Sequence, residues 1–315
     1  MKVLKVVAPP PNLTISQWAD TYRYLPAEGA AEPGRWKTSR AEFQREPMDM
    51  ITHPEVHTVV IIGPSQLMKT EIQLNTIGYF IHLDPCPMMM IQPDEKKAEE
   101  FSQDRITTMI DATPVLKERV FASRGGSSDR RSGKFTKRFP GGYLNIASAN
   151  VPASLASKPI RVLLPDEVDR YSTSSGNEGD PVEIADKRTT TFWNAVKVLN
   201  SSPGLKGESR IEAEYENSDQ REYYVPCPHC GTMQTLRFPQ LVWDKNDPST
   251  VRYVCESCDE HLTEAVDARY HHISRSFSRD AARLVAEASR GSIEQIAALV
   301  DRFAIDCGFR RLPGY

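Results

Sequence analysis

The feature that most constrains this chain is an alternation of short apolar runs with helically spaced segments between about residues 57 and 201. His57–Ile62 (HTVVII) is β-branched and stops at Gly63. Such a run, closed by a turn residue, predicts a buried strand. Helical spacing follows over Thr70–His82, then a second apolar run at Pro87–Ile91, closed by Gln92-Pro93. Asp94–Ile110 predicts a helix capped by Asp94, with Ala98, Phe101, Ile106 and Met109 on its buried face. Further strands are expected at Gly142–Ala147, Ile160–Leu164 and Ala195–Ser201. Strands separated by helices predict an α/β fold, a mostly parallel sheet with helices on both faces.

Ahead of this core, residues 1–57 read as a polar lead-in punctuated by proline. Thr38–Ile51 is expected to be helical, with Ser39 as cap and Glu42 completing a capping box. Two loops are expected inside the core, Ala122–Thr136 and Tyr171–Asp180. The chain has 315 residues, 39% hydrophobic and 26% charged, with net charge −3. That is a globular balance and excludes a uniformly basic nucleic-acid coat. No apolar run approaches a membrane span, and the proline-rich start lacks a secretory core, so a cytosolic chain is expected.

The stretch Gly63-Pro64-Ser65-Gln66-Leu67-Met68-Lys69-Thr70 joins the first strand to its helix. It fits GxxxxGK[ST] except at Met68. Loops of this kind wrap phosphates with backbone N–H groups, while Lys reaches the outer phosphates and the hydroxyl holds Mg²⁺. The missing glycine matters because the backbone there must approach phosphate closely. An ordinary strand-to-helix turn carrying a surface lysine explains the same residues as well. The run Ile160–Arg170 (IRVLLPDEVDR) ends in Asp166-Glu167. Acidic residues at a strand tip beside a phosphate loop suit a Mg²⁺ ligand followed by a general base. Together the two tips mark the edge where open parallel sheets bind ligands. Pro165 lacks an N–H, so the strand end should be bulged or unpaired on one side.

Val198–Pro203 is a strand closed by Ser201 and Ser202, hydroxyls that either sense a γ-phosphate or merely exit the strand. Cys227-Pro228-His229-Cys230 and Cys255-Glu256-Ser257-Cys258 are two CxxC knuckles. Four thiolates suit a closed, structural zinc site. Strands are expected at Thr235–Phe238, Leu241–Trp243 and Val251–Val254, with a turn at Asn246-Asp247-Pro248. This predicts a zinc ribbon, with His229 and His261 as alternative ligands. Between Lys117 and Arg138, eight basic residues face only Glu118 and Asp129. The surplus suits a phosphate backbone or simply a solvated loop. Cys86, between prolines, is expected to be packed, and Cys307 has no evident partner.

In order along the chain stand Trp18–Leu25, Pro33-Gly34-Arg35-Trp36, the phosphate loop, Gln92-Pro93-Asp94-Glu95, Lys137–Gly142, Ala149–Leu155, Asp166-Glu167-Val168-Asp169, Ser201-Ser202-Pro203 and Asp219–Gly231. These strings resemble the large subunit of tailed-phage terminases, the lambda GpA-like family. The resemblance implies a P-loop ATPase that drives double-stranded viral DNA into a capsid in the host cytoplasm. It implies a terminase small subunit and a capsid portal as partners, and a homo-oligomer when working. It further implies that Lys69 and Thr70 bind ATP and Mg²⁺, Asp166 holds Mg²⁺, Glu167 and Lys69 are catalytic, and Ser201-Ser202 couple hydrolysis to movement.

The expected organisation is a lead-in (1–57), the ATPase domain (58–221), the ribbon (222–267) and a helical tail (268–315) with helices near Ser278–Ser289 and Ser292–Phe303. The tail does not resemble the nuclease that follows in the family and lacks spaced carboxylates, so no nuclease activity is expected from it. A competing reading is a degenerate prophage remnant that binds DNA or a partner without ATPase activity. A third, a helicase-like repair ATPase, shares the phosphate loop but not the longer strings.

Overall fold

The computed structural model describes residues 11–28, 32–65, 67, 69–122, 132–244 and 247–263. It divides into two units, residues 1–220 and 221–315. The expected tail helices, Gln66 and Met68 lie outside the described residues.

In the first unit, α1 (Ile15–Tyr22) starts at Thr14, whose side chain and Gln17 form a capping box. It buries Ile15, Trp18 and Ala19, one helical stripe. The paired dipeptides β1 (Tyr24–Leu25) and β2 (Gly34–Arg35) follow. The expected cap at Ser39 does not form. Thr38–Gln44 is a 3₁₀ stretch broken at Ala41, and only α2 (Arg45–Met50) is α-helical. The Thr38 amide is instead taken by Asp20 at 2.6 Å, and Glu42 pairs with Arg45. The turn thus starts at Thr38, held by Asp20, and the Glu42 carboxylate is engaged locally by Arg45, so the Ser39 box does not form.

The core elements are β3 (Thr58–Ile62), α3 (Lys69–His82), β4 (Pro87–Gln92) and α4 (Glu95–Glu100), the last capped by Asp94 as expected. The helix expected to run unbroken to Ile110 widens into a π-helical stretch over Phe101–Thr107 before α5 (Thr108–Ala112). Its four expected core residues are nonetheless all buried. Next come α6 (Pro114–Lys117), β5 (Thr136–Phe139), β6 (Gly142–Ser148), α7 (Pro152–Leu155), β7 (Val162–Pro165), α8 (Pro181–Asp186), β8 (Val196–Ser201) and α9 (Arg210–Glu216).

The six strands of the central sheet run in the order β3-β8-β7-β4-β6-β5. All neighbours are parallel except the β5–β6 hairpin. Period-two alternation divides the core between the two faces. Met88, Met90, Leu144, Ile146, Leu164 and Val198 join Trp18, Ile77 and Ile106 in one cluster. Met89, Ile91, Ala147, Leu163 and Leu199 join Leu155, Ile184 and Ile211 in the other. This is a helix-covered, mostly parallel α/β sheet. The lead-in supplies part of its core, because the outer edge of the Trp18 indole fits against α3 where Gly78 has no Cβ.

β5 falls inside the basic stretch. Lys137 points inward there and is buried, and burial lowers its pKa. Lys134 pairs with Glu99 at 2.6 Å and Lys117 with Asp111 at 3.9 Å, so much of the described basic surplus is locally balanced.

The second unit contains β9 (Val225–Pro226) paired with β10 (Met233–Gln234), and a sheet of β11 (Leu241–Asp244), β12 (Asp247–Val254) and β13 (His261–Thr263). The strand expected at Thr235–Phe238 is absent. Tyr253 Oη takes the Arg237 amide at 2.6 Å and donates to Thr235 O at 3.2 Å, replacing a ladder. Asp247 and Pro248, expected in a turn, lie in β12. Among the described residues, no helix is long and apolar enough to cross a membrane.

Candidate functional site

The parallel strands β3, β8, β7 and β4 all end at the same edge of the sheet. That edge therefore gathers Gly63, Ser201-Ser202, Asp166-Glu167 and Gln92. β8 lies between β3 and β7, so the serines stand between the loop that follows β3 and the carboxylates that follow β7.

Lys69 opens α3 and its ammonium turns back over the loop. Nζ donates to Gly63 O at 2.9 Å, Pro64 O at 2.6 Å and Ser202 Oγ at 3.0 Å. All three donors of the ammonium are used. Burial lowers the Lys69 pKa, while the Asp166 and Glu167 carboxylates raise it. Ser65 Oγ also reaches Ser202 Oγ, at 3.4 Å. The Gly63 amide donates to Ser201 O at 3.3 Å. Pro64 lies on the loop, Leu67 is exposed, and Thr70 is half-buried on the first turn of α3.

Asp166 is 4% exposed, and burial pushes its pKa up to about 6 against a hydrogen bond from Gln92. Gln92 Nε2 donates to Oδ2 at 2.9 Å, whereas Oδ1 is buried without a partner. An orphaned carboxylate oxygen is costly in a protein interior. Such an oxygen is a natural ligand for a hard divalent cation. The Asp166 amide is shared between Ile91 O (3.0 Å) and Tyr171 Oη (3.1 Å).

Glu167 sits at φ 53°, ψ 50°, a left-handed conformation uncommon for a residue with a side chain. Its amide donates to Asn200 Oδ1 at 3.4 Å, and its carboxylate pairs with Arg170 at 3.0 Å. Asp169 holds the turn that follows. Its carboxylate accepts from Gly204 N (2.8 Å), Ser209 Oγ (2.6 Å) and Ile211 N (2.8 Å), and its amide donates to Ser201 Oγ (3.2 Å). The sequence offered no sign of this bracing by Gln92, Asn200 and Asp169, beyond polar side chains at strand ends.

Three arginines with phosphate-binding potential are committed within the chain. Arg161 makes a fork with Asp84 at the opposite end of β7, Arg170 pairs with Glu167, and Arg210 binds Asp180 and Val168 O.

In the second unit, Cys227, Cys230, Cys255 and Cys258 bring four sulfurs within 4.8 Å of one another. Cys227–Cys258 and Cys230–Cys255 are both 3.8 Å apart, too far for disulfides. A tetrahedral zinc site with Zn–S bonds of about 2.3 Å has edges of about 3.8 Å. The amides of His229 and Ser257 each donate to a cysteine sulfur at 3.4 Å. The residues after each second cysteine, Gly231 (φ 75°) and Asp259 (φ 58°), turn the chain back. The donor set and spacing fit a closed tetrahedral metal, and His229 is outside the cluster.

The family model for the phage terminase large subunit gpA, ATPase domain, matches residues 30–273. The chain belongs to this family. Two terminase large subunits from phages are similar to it. That of Enterobacteria phage P21 is 32% identical over 275 residues, 83% of this chain and 42% of the relative. That of Escherichia phage lambda is 28% identical over 273 residues, with the same shares. The chain therefore spans well under half the length of these terminase relatives. Among solved structures, the HK97 bacteriophage large terminase aligns with TM-score 0.48 and 12% identity, over 65% of this chain and 41% of that one. Membership of the terminase ATPase family agrees with the helix-covered parallel sheet described above.

Proposed function

We propose that this terminase-family chain is an ATP-hydrolysing motor module that moves double-stranded DNA during phage packaging. The observation that carries the reading is the convergence of Lys69, Ser202, Asp166 and Glu167 at the carboxyl edge of one parallel sheet. Bound ATP supplies the scissile phosphoanhydride, and Mg²⁺ supplies charge neutralisation at its outer phosphates. In this reading Lys69 exchanges its bonds to Gly63 O and Pro64 O for phosphate oxygens. Backbone amides at the start of α3, those of Lys69 and Thr70, would face the phosphates. Thr70 and Asp166, whose Oδ1 is unpartnered, would hold Mg²⁺. Glu167 accepts the proton of the attacking water.

Ser202 touches both Lys69 and Ser65, so loss of the outer phosphate alters a contact made just beyond the end of β8. Ser201 and Ser202 therefore pass the nucleotide state to the segment that Asp169 ties down. A structural zinc ion held by the four cysteines folds the ribbon, residues 222–267. The terminase small subunit, the capsid portal and further copies of the chain are the proposed partners, in the host cytoplasm. The test is Mg²⁺-dependent ATP hydrolysis by the purified chain, with and without linear double-stranded DNA, beside Met68→Gly. Turnover raised by DNA is expected. Absence of turnover in both proteins would overturn the reading.

A further inference from the structure

We propose that Gln73 is a positioning residue that fastens the phosphate-loop helix to the strand end carrying Asp166 and Glu167. The inference rests on the ATPase reading for its kinetic consequence, while its structural part stands alone.

Pro165 is the last residue of β7. The pairs Val162–Val196 and Leu163–Lys197, followed by the bridge Asp166–Asn200, keep one register along β7 and β8. That register sets Pro165 opposite Leu199. In a parallel ladder the amide of such a residue donates to the carbonyl preceding its partner, here Val198 O. The Asp166 amide points the other way, to Ile91 O on β4. Alternation along the strand therefore directs residue 165 toward β8. Proline has no N–H, so the ladder leaves Val198 O without its donor.

Gln73 makes up the deficit. It is fully buried, one turn beyond Lys69 on α3. Its Nε2 donates to Val198 O at 3.1 Å and to Pro165 O at 3.0 Å. One side-chain amide thus spans the gap between the two strands and ties both to the helix that begins with Lys69 and Thr70. The residue after Pro165 is Asp166, so the stitch fixes the separation between the two halves of the site. The cost of this arrangement is visible in Gln73 Oε1, which is buried without a partner. An all-apolar contact would avoid that cost, so the amide is held there for its donor.

Gln73→Leu keeps the volume and removes the donor. Expected is a fall in kcat of roughly tenfold or more, since small misplacements of reacting groups are expensive. The KM for ATP, set mainly by the loop, should change little, and the Mg²⁺ concentration for half-maximal rate should rise. Hydrogen exchange of peptides covering 162–167 and 196–201 should speed up, with the rest of the sheet unchanged.

Pro165→Ala restores the missing ladder donor, so Gln73→Leu in that background should lose far less kcat and exchange protection than in the parent. Should Gln73→Leu fail to fold, the double variant is expected to fold. Equal losses with and without Pro165→Ala, failure of the double variant to fold, or unchanged exchange in Gln73→Leu would each overturn the proposal. A parent chain without turnover overturns the ATPase reading instead, and the exchange comparison still decides the stitch.

Discussion

Replacing Glu167 by alanine and by glycine separates its backbone from its side chain. At φ 53° and ψ 50° an L-residue carries about 1–2 kcal/mol of left-handed penalty. Glycine escapes that penalty but loses roughly 0.5–1 kcal/mol more than alanine through its freedom in the unfolded chain. Both variants lose the Glu167–Arg170 pair, an exposed contact worth little, and the loss cancels between them. Glu167→Gly should therefore be the more stable by up to about 1.5 kcal/mol, roughly 0.75 kcal/mol at the midpoints of the two effects. In a unit of this size that is a melting-temperature gain of about 1–4 °C. At an ordinary right-handed position the order is reversed, so the sign decides. The assay is paired thermal denaturation of the two variants, followed by ATP turnover. Both should lose about 10²–10⁴-fold in rate if the carboxylate is the general base. An alanine variant as stable as the glycine variant would refute the strained-backbone reasoning.

Three further outcomes are expected. Freshly purified protein should hold one zinc per chain, and Cys255→Ser should unfold the ribbon; less than half an equivalent by elemental analysis contradicts a structural zinc site. Met68→Gly should bind ATP more tightly, by roughly 5–150-fold if relief of about 1–3 kcal/mol of loop strain falls wholly on the bound state; equal calorimetric affinities refute this. His82 accepts the Trp18 indole N–H at 3.1 Å, and burial with nearby Arg119 holds its pKa down at about 4. Its folded pKa lies below the unfolded value of about 6.5, so stability should fall as pH drops from about 6.5 toward 4; His82→Gln should flatten that slope in acid-denaturation curves.

The strands of the core were readable because β-branched and apolar runs end at punctuating residues, as Ile62 does at Gly63 and Ser201 does before Pro203. Asp94 was readable as a cap because nothing tertiary competes for the Lys97 amide, which it takes at 2.8 Å. Ser39 is no cap because Asp20, distant in sequence, takes the Thr38 amide and the turn starts there, earlier than the sequence alone implies. β5 escaped notice because Lys137 and Arg138 gave Thr136–Phe139 the composition of a loop, although an edge hairpin accommodates both. Strand order is a matter of long-range pairing, so the sequence could not show Ser202 reaching Lys69. Pro165 did announce a defect in the β7–β8 ladder. That Gln73 repairs it depends on a helix face known only once α3 is packed. The positive φ of Glu167 left no trace in its residue type, since glycine or asparagine would be the usual occupant.

The measurement that bears most directly on the proposed chemistry is the comparison of Glu167→Gln with the parent in nucleotide binding and in hydrolysis. Glutamine keeps the shape of the side chain but gives up the charge paired with Arg170 and cannot take a proton from water. The account predicts that Mg²⁺–ATP binds the variant with parental affinity while DNA-stimulated turnover disappears. Turnover at the parental rate, or loss of ATP binding, would contradict the placement of Glu167 as the base of an ATPase.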